Sequence, residues 1–357
     1  MTKIDIVSGF LGAGKTTLIK KLLKESLADT KVVLIENEFG EIGIDGGFLK
    51  DAGIEIKEMN SGCICCSLVG DFGTSLKVVL TTYKPERVLI EPSGVGKLSD
   101  VIKAVENVAA DIEIKVNSAV AVVDATKCKM YIKNFGEFFC NQIAYAGTVI
   151  LSRTGKMSQD KLESCIGMIR EHNAEAAIIT TPWEQLDGND ILKTIEGGNR
   201  LEVMIREMME HAEHDHHDHD HEDHDHHHHH DHEEHHHHHD HDHDHEDHDH
   251  DHDHHHHDHE GHHHHHADEI FTSWGKESPA GYTKEEIEGI LQQLGQEDVY
   301  GFVLRAKGMV PAEDGTWIYF DYVPEESDVR TGKPDVTGKI CVIGSKLQEE
   351  KLTQLFK

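Results

Sequence analysis

The stretch Gly9-Phe10-Leu11-Gly12-Ala13-Gly14-Lys15-Thr16 decides the fold. It has the form G-x4-G-K-[ST], and it stands between an apolar β-branched run, Ile4 to Ser8, and a helical pattern over 15 to 27. In that setting the glycines let backbone N–H groups wrap a chain of phosphates, and the positive end of the following helix adds to the attraction. Lys15 is expected to reach the β and γ phosphates, and the Thr16 hydroxyl to ligate Mg2+. Gly9, Gly12, Ala13, Gly14 and Thr17 complete the expected nucleotide cradle.

Further apolar runs follow at Val32 to Glu36, Val88 to Glu91, Val116 to Val123, Thr148 to Ser152 and Ala177 to Thr180. They are apolar at successive positions, as strands covered on both faces must be. Helical spacing over 70 to 83, 158 to 173 and 190 to 196 alternates with them. This order predicts an α/β class, with a doubly wound, mostly parallel sheet over residues 1–200. Val88-Leu89-Ile90-Glu91 ends on an acid at the carboxyl edge of that sheet, the position from which a carboxylate holds Mg2+. Gly94, three residues on, is placed to let a backbone N–H approach the γ-phosphate.

Between the loop and this acid lies Gly62-Cys63-Ile64-Cys65-Cys66. Three thiols within four residues can converge on one soft or borderline ion, with zinc the first expectation and Co2+ or Ni2+ the second. The seven cysteines of the chain are an odd number, and this crowding reads as thiolate chemistry in a reducing compartment. Cys128, Cys140, Cys165 and Cys341 are scattered and read as small core residues.

Residues 211–266 are unlike the rest. They hold 34 of the 35 histidines and 20 acids, interrupted only by Ala212 and Gly261. Runs such as His226, His227, His228, His229 and His230, and alternations such as His241-Asp242-His243-Asp244, offer mixed nitrogen and oxygen ligands at every step. With so few apolar groups the tract is expected to be disordered without metal, within a linker running from 201 to 281. Leu201 to Glu210 reads as a short helix leading into it.

Order is expected to resume as a small α+β domain over 282–357. Thr283 and Glu286 have the spacing of a capping box at the start of a helix to Leu294, followed by strands at Val299 to Lys307, Trp317 to Val323 and Lys339 to Ile343, and a helix at Leu347 to Phe356.

The formal net charge is −33. Without the tract, 47 acids still face 34 Lys and Arg, which argues against nucleic acid as the main partner and suits attraction of cations. No apolar run approaches the ~20 residues of a membrane span, and the start lacks the apolar core of a signal peptide, so no membrane partner and a cytoplasmic location are expected.

These features resemble the CobW-like members of the CobW/HypB/UreG group of P-loop GTPases, which are metal chaperones and metallocentre-assembly factors. The resemblance rests on residues 9–17, on Glu36-Asn37-Glu38-Phe39-Gly40-Glu41-Ile42-Gly43-Ile44-Asp45, on the Cys63, Cys65, Cys66 motif, on Glu91-Pro92-Ser93-Gly94, and on Arg305 to Gly308 with Trp317 in the C-terminal domain. It implies that Glu36, or alternatively Glu38, joins the thiolates, and that residues 36–45 form a switch coupling Mg2+-nucleotide binding to metal capture and release to a client protein. The histidine tract would then be a reservoir feeding that site. The alternative is a metal buffer with little or no turnover.

One departure bears on the substrate. Such proteins carry Asn-Lys-x-Asp after the strand that here ends at Leu151, and this chain has Ser152-Arg153-Thr154-Gly155. Gly155 cannot replace the aspartate that reads guanine. Ser152 and Arg153 remain as candidate contacts to the base, with GTP expected and ATP or relaxed use the alternative. The client, the general base and the oligomeric state, a homo-oligomer included, stay open.

Overall fold

The computed structural model describes residues 1–36, 55–58, 69–197, 267–332, 334 and 337–357. In the nucleotide-binding part the elements run β1 (Thr2–Gly9), α1 (Lys15–Glu25), β2 (Val32–Glu36), β3 (Glu55–Glu58), α2 (Val69–Tyr83), β4 (Arg87–Glu91), α3 (Leu98–Ala109), β5 (Ile114–Asp124), α4 (Cys128–Ala144), β6 (Thr148–Ser152), α5 (Gln159–His172), β7 (Ala177–Ile179) and α6 (Gly188–Glu196). The strands form one sheet in the order β3-β2-β4-β1-β5-β6-β7, parallel throughout. From β1 the chain crosses to β2 and β3, returns to insert β4 between β2 and β1, and then winds out through β5, β6 and β7 on the other side, a double winding.

Alternation along each strand sorts the core onto two faces. Ile4, Ile6, Val33, Ile35, Val88, Ile90, Ala119, Ala121 and Val123 pack into one cluster with residues of α2 to α5. Val7, Val32, Leu34, Leu89, Val120 and Val122 pack into another with Leu18, Ile19 and Leu22 of α1 and Ile191 and Ile195 of α6. The same alternation decides where the strand-end acids point: Glu36 shares parity with Leu34, and Glu91 with Leu89, so both belong to the α1 face.

The remaining elements are α7 (Ala267–Ile270), β8 (Thr272–Ser278), α8 (Lys284–Gln293), α9 (Glu297–Tyr300), β9 (Phe302–Pro311), β10 (Trp317–Val323), β11 (Glu326–Gly332), β12 (Gly338–Ser345) and α10 (Glu349–Leu355). Their five strands form an antiparallel sheet in the order β11-β10-β9-β12-β8. The capping box is present, with Thr283 Oγ1 accepting from the Glu286 N–H at 3.1 Å and Glu286 Oε2 from the Thr283 N–H at 2.9 Å.

Several readings shift. β8 falls inside the stretch expected as linker: its pairing with β12 is long-range, and its sequence, Thr-Ser-Trp-Gly-Lys-Glu-Ser, has one buried apolar side chain, Trp274. The strand expected from Val299 instead starts at Phe302, after the short helix α9, because Gly301 at φ 82° breaks the helix there. Strands β3 and β11 are polar edge strands, and α3 and α4 are helices beyond those the spacing predicts. Leu201 to Glu210 and the tract 211–266 lie outside the described residues.

The fully buried Phe271 joins the two described parts, packing on Phe10 at 6.1 Å, Phe135 at 5.3 Å and Phe138 at 5.1 Å between ring centres. The described residues of these two parts belong to one compact unit.

At the amino edge of the sheet a charged network closes α6 onto three strands. Arg87 Nη1 donates to Asp5 Oδ2 at 2.6 Å and its other nitrogen to Glu196, which also pairs with Lys3 at 2.9 Å. Asp5 is satisfied further by Asn117 and Ser118, so this buried acid has a full set of donors. Burial opposes ionisation of Glu196, but hydrogen bonds from Arg87 and Lys3 outweigh it and hold its carboxyl at about 2, against an ordinary 4.5. The resulting stabilisation is fully present above pH 4.5 and is lost as pH falls towards 2. Glu196→Gln is expected to cost about 1.5–3 kcal/mol at neutral pH. Denaturant unfolding should show that deficit shrinking between pH 4.5 and 2.

Candidate functional site: a phosphate loop beside two strand-end carboxylates

The loop after β1 turns on Gly9, Gly12 and Gly14 with φ of 148°, 69° and 102°. Gly14 is the N-cap of α1 and offers no side-chain cap, and the first turn carries no acid. The helix N–H groups are thus turned to the loop with no carboxylate competing for them, the arrangement that attracts an anion. A side chain at Gly14 would come within 2.8 Å of the Trp183 ring, and one at Gly12 would collide with Val323, so glycine is required at both on two counts.

Lys15 is buried, and its ammonium donates to the carbonyls of Gly9 at 2.9 Å and Phe10 at 3.4 Å. The cation is therefore held along the loop it is to serve. Thr16 Oγ1 donates to both oxygens of Glu91, at 3.0 and 3.2 Å. A hydroxyl and a carboxylate brought together at a helix start form the hard oxygen pair that fits Mg2+. The structure brings these two candidate Mg2+ ligands together.

The turn after Glu91 is fixed from the opposite side. A Cβ on Gly94 would lie 2.8 Å from the Leu11 N, so only glycine permits the turn to approach the loop so closely. Gln142 of α4, buried, donates to the carbonyls of Gly94 at 3.2 Å and Gly96 at 2.8 Å. Nothing in its local sequence marks Gln142 out, because its partners lie 48 and 46 residues away.

Glu36 is buried at the end of β2 and in register with Glu91 on β4. Paired residues of adjacent parallel strands stand roughly 4.8 Å apart, so the candidate metal ligand and the candidate Mg2+ ligand are neighbours on the α1 face. Cys63, Cys65, Cys66, Glu38 and His226 to His230 lie outside the described residues. Among the described residues no three His, Cys, Asp or Glu side chains gather as a metal site. Cys128, Cys165 and Cys341 are buried. A hydrogen bond with Cys165, together with burial, pushes the Cys128 thiol far up, so it stays protonated.

On the other side of the loop, a cavity of about 530 Å3 is bounded by Ala13, Gly14 and Thr17, by Ser152 to Lys156, and by Pro182 to Glu184. Ser152 borders it, but its hydroxyl is buried and donates to Val123 O at 3.4 Å. Arg153, in the left-handed region at φ 59°, does not lie out over this space as expected for a base contact. Its guanidinium donates to Gly12 O at 3.0 Å and Asp124 Oδ2 at 3.1 Å and pairs with Glu326 at 2.8 Å. Three acceptors at fixed positions outcompete a mobile aromatic contact.

Glu326 belongs to the β10–β11 hairpin. Together with Asp321, Val323, Asp328, Arg305 and Arg330, it walls a second cavity of about 340 Å3 that contains Lys15, Thr16, Lys20 and Glu91. The C-terminal sheet thus contributes directly to the surroundings of the phosphate loop.

A phosphate loop, a Thr–Glu oxygen pair and a lateral cavity on a doubly wound parallel sheet define a nucleoside triphosphate-binding domain of the P-loop class. Residues 3–180 match the CobW/HypB/UreG nucleotide-binding domain, and the nucleotide-binding part of this chain belongs to that family. The chain is similar to the zinc chaperone YeiR of Escherichia coli (strain K12), 28% identical over 189 residues that make up 53% of this chain and 58% of the relative. It is 41% identical over 128 residues, 34% of this chain and 36% of the relative, to the zinc chaperone CobW of Sinorhizobium sp. The crystal structure of Zn(II)-bound YjiA GTPase from E. coli is 18% identical, with a TM-score of 0.40, covering 99% of this chain and 98% of the other. The chain spans between about a third and three fifths of the length of the curated relatives named here. No helix among the described residues is long and apolar enough to cross a membrane.

The Thr16–Glu91 pair can be tested directly. Thr16→Val and Glu91→Gln should each weaken the Mg2+ dependence of triphosphate binding, on the order of 10–100-fold in apparent Mg2+ affinity, with little change in binding without Mg2+. Nucleotide titrations at graded MgCl2 read this out.

Proposed function

We propose that this protein is a metal-linked nucleoside triphosphatase that binds GTP, captures zinc at Cys63, Cys65 and Cys66 with Glu36, and delivers it to a client protein. The observation that carries this reading is the register of Glu36 against Glu91 on neighbouring strands. A ligand to the transported ion and a ligand to Mg2+ in this arrangement cannot move independently. The names of the relatives, zinc chaperones, support zinc as the cargo over Co2+ or Ni2+.

The chain's own groups set the steps. Lys15 exchanges the Gly9 and Phe10 carbonyls for phosphate oxygens, retaining a charge-assisted bond throughout. The loop amides and the α1 N-terminus hold the phosphates in line. Thr16 and Glu91 would hold Mg2+, which would supply positive charge against the phosphates. Gln142 and Gly94 keep the turn after β4 against the loop, so that its backbone N–H groups face the γ-phosphate side. Zinc bound by Glu36 biases the same strand ends, and by linkage it raises nucleotide affinity by the factor by which nucleotide raises zinc affinity. Hydrolysis then loosens both.

The tract of 34 histidines acts as a reservoir for the thiolate site. Imidazole gives up metal as it protonates below about pH 6, so the reservoir empties on acidification before the cysteines do.

Phosphate release from GTP, measured with and without zinc, tests the activity. The wild-type chain is expected to turn over slowly, with a rate that zinc changes, and Lys15→Ala to release no phosphate. Absence of release from the wild-type chain under every metal condition would leave a metal buffer. A chain lacking 211–266 should bind fewer zinc ions, as counted by native mass spectrometry, while retaining its phosphate-release rate.

A further inference from the structure

We propose that Glu184, in the turn after β7, is the carboxylate that reads the nucleotide base, and that it selects guanine. The inference rests on the nucleotide-binding reading above and supplies the specificity element missing from Ser152-Arg153-Thr154-Gly155.

The cavity of about 530 Å3 beside the phosphate loop is in the size range of small-molecule sites, and its near wall is Ala13, Gly14 and Thr17. A nucleoside whose phosphates rest on the α1 N-terminus has this space next to it. The groups around the cavity differ in what they can offer. Ser152 directs its hydroxyl to Val123 O, Arg153 is committed to Gly12, Asp124 and Glu326, and Gly155 has no side chain. Two carboxylates border the cavity, Glu184 and Glu326, and Glu326 is the partner of Arg153 at 2.8 Å.

Glu184 is exposed, yet it is held in place. Its Oε1 accepts the Trp183 indole N–H at 2.7 Å. The Trp183 ring is 8% exposed and packs against Gly14, where an added Cβ would come within 2.8 Å. Backbone bonds from Gln185 to Pro182 O at 2.9 Å and from Leu186 to Trp183 O at 3.2 Å close the turn. The carboxylate is thus oriented by an indole that itself touches the phosphate loop, while its second oxygen and remaining lone pairs stay suited to accept.

Guanine presents two donors along one edge, N1–H and the N2 amino group, and a carboxylate accepts both. Adenine presents a lone pair at N1 and a C–H at C2, so the same carboxylate faces a repulsive acceptor and gains no bond. A site built to bond a donor rejects an analogue lacking it far more strongly than apolar fit would.

The test uses the full chain with Mg2+ and fluorescent N-methylanthraniloyl-GTP, displaced by GTP, ATP or xanthosine triphosphate. Wild type should favour GTP over ATP by at least about 100-fold. Glu184→Gln should lose tenfold or more in GTP affinity and gain affinity for xanthosine triphosphate, because a carboxamide can donate to the carbonyl that xanthine carries where guanine has its amino group. Trp183→Phe removes the N–H together with the outer ring edge that lies on Gly14, and should narrow the GTP to ATP ratio without favouring xanthosine triphosphate. An unchanged GTP to xanthosine triphosphate ratio in a folded Glu184→Gln chain overturns this assignment and leaves the triphosphatase reading intact. Failure of the wild-type chain to take up the labelled nucleotide overturns both.

Discussion

Two carboxylates end adjacent parallel strands on one face of the sheet, Glu36 on β2 and Glu91 on β4, and Thr16 donates to the second of them. Paired positions on adjacent parallel strands stand roughly 4.8 Å apart, so the two carboxylates share one edge of the sheet. This pair is the physical feature on which the proposed coupling of the phosphate loop to metal capture depends. It is set by backbone register and by strand parity. A one-residue slip of β2 would turn Glu36 to the opposite face and end the relation.

The rest of the nucleotide domain can be understood as holding that edge still. Apolar clusters cover both sides of the sheet, the Arg87 network ties α6 to the strands at the far edge, and Gln142 braces the turn beyond Glu91. The C-terminal sheet is part of the same construction. Phe271 enters the core beside Phe10, and Arg153 joins the phosphate loop to Glu326 of the hairpin. A change in the loop therefore has a direct route to the outer sheet.

What was legible in the sequence follows from the range of the interactions. The phosphate loop, the strand ending in Glu91 and the Thr283 capping box are made within a few residues and could be read locally. The parallel order followed from apolar strands alternating with helices. Polar edge strands such as Glu55–Glu58 and Glu326–Gly332 carry no apolar signature, and Thr272–Ser278 borrows its strand character from β12. Arg153 is readable as a candidate base contact from its place after β6, but its orientation depends on Asp124 and Glu326, which no local pattern connects. Gln142 and Trp183 carry no local signal for the same reason: each reaches the phosphate-loop region from a place distant in the chain.

The central claim is that triphosphate binding and zinc capture share one conformational equilibrium through the Glu36–Glu91 edge. Calorimetric titration of zinc into the full chain, alone and saturated with Mg2+ and a nonhydrolysable GTP analogue, tests it most directly. The account predicts tighter zinc binding at the thiolate site with nucleotide, by roughly 5–150-fold, and loss of that gain in Glu36→Gln. Equal zinc affinities in the two titrations would contradict it.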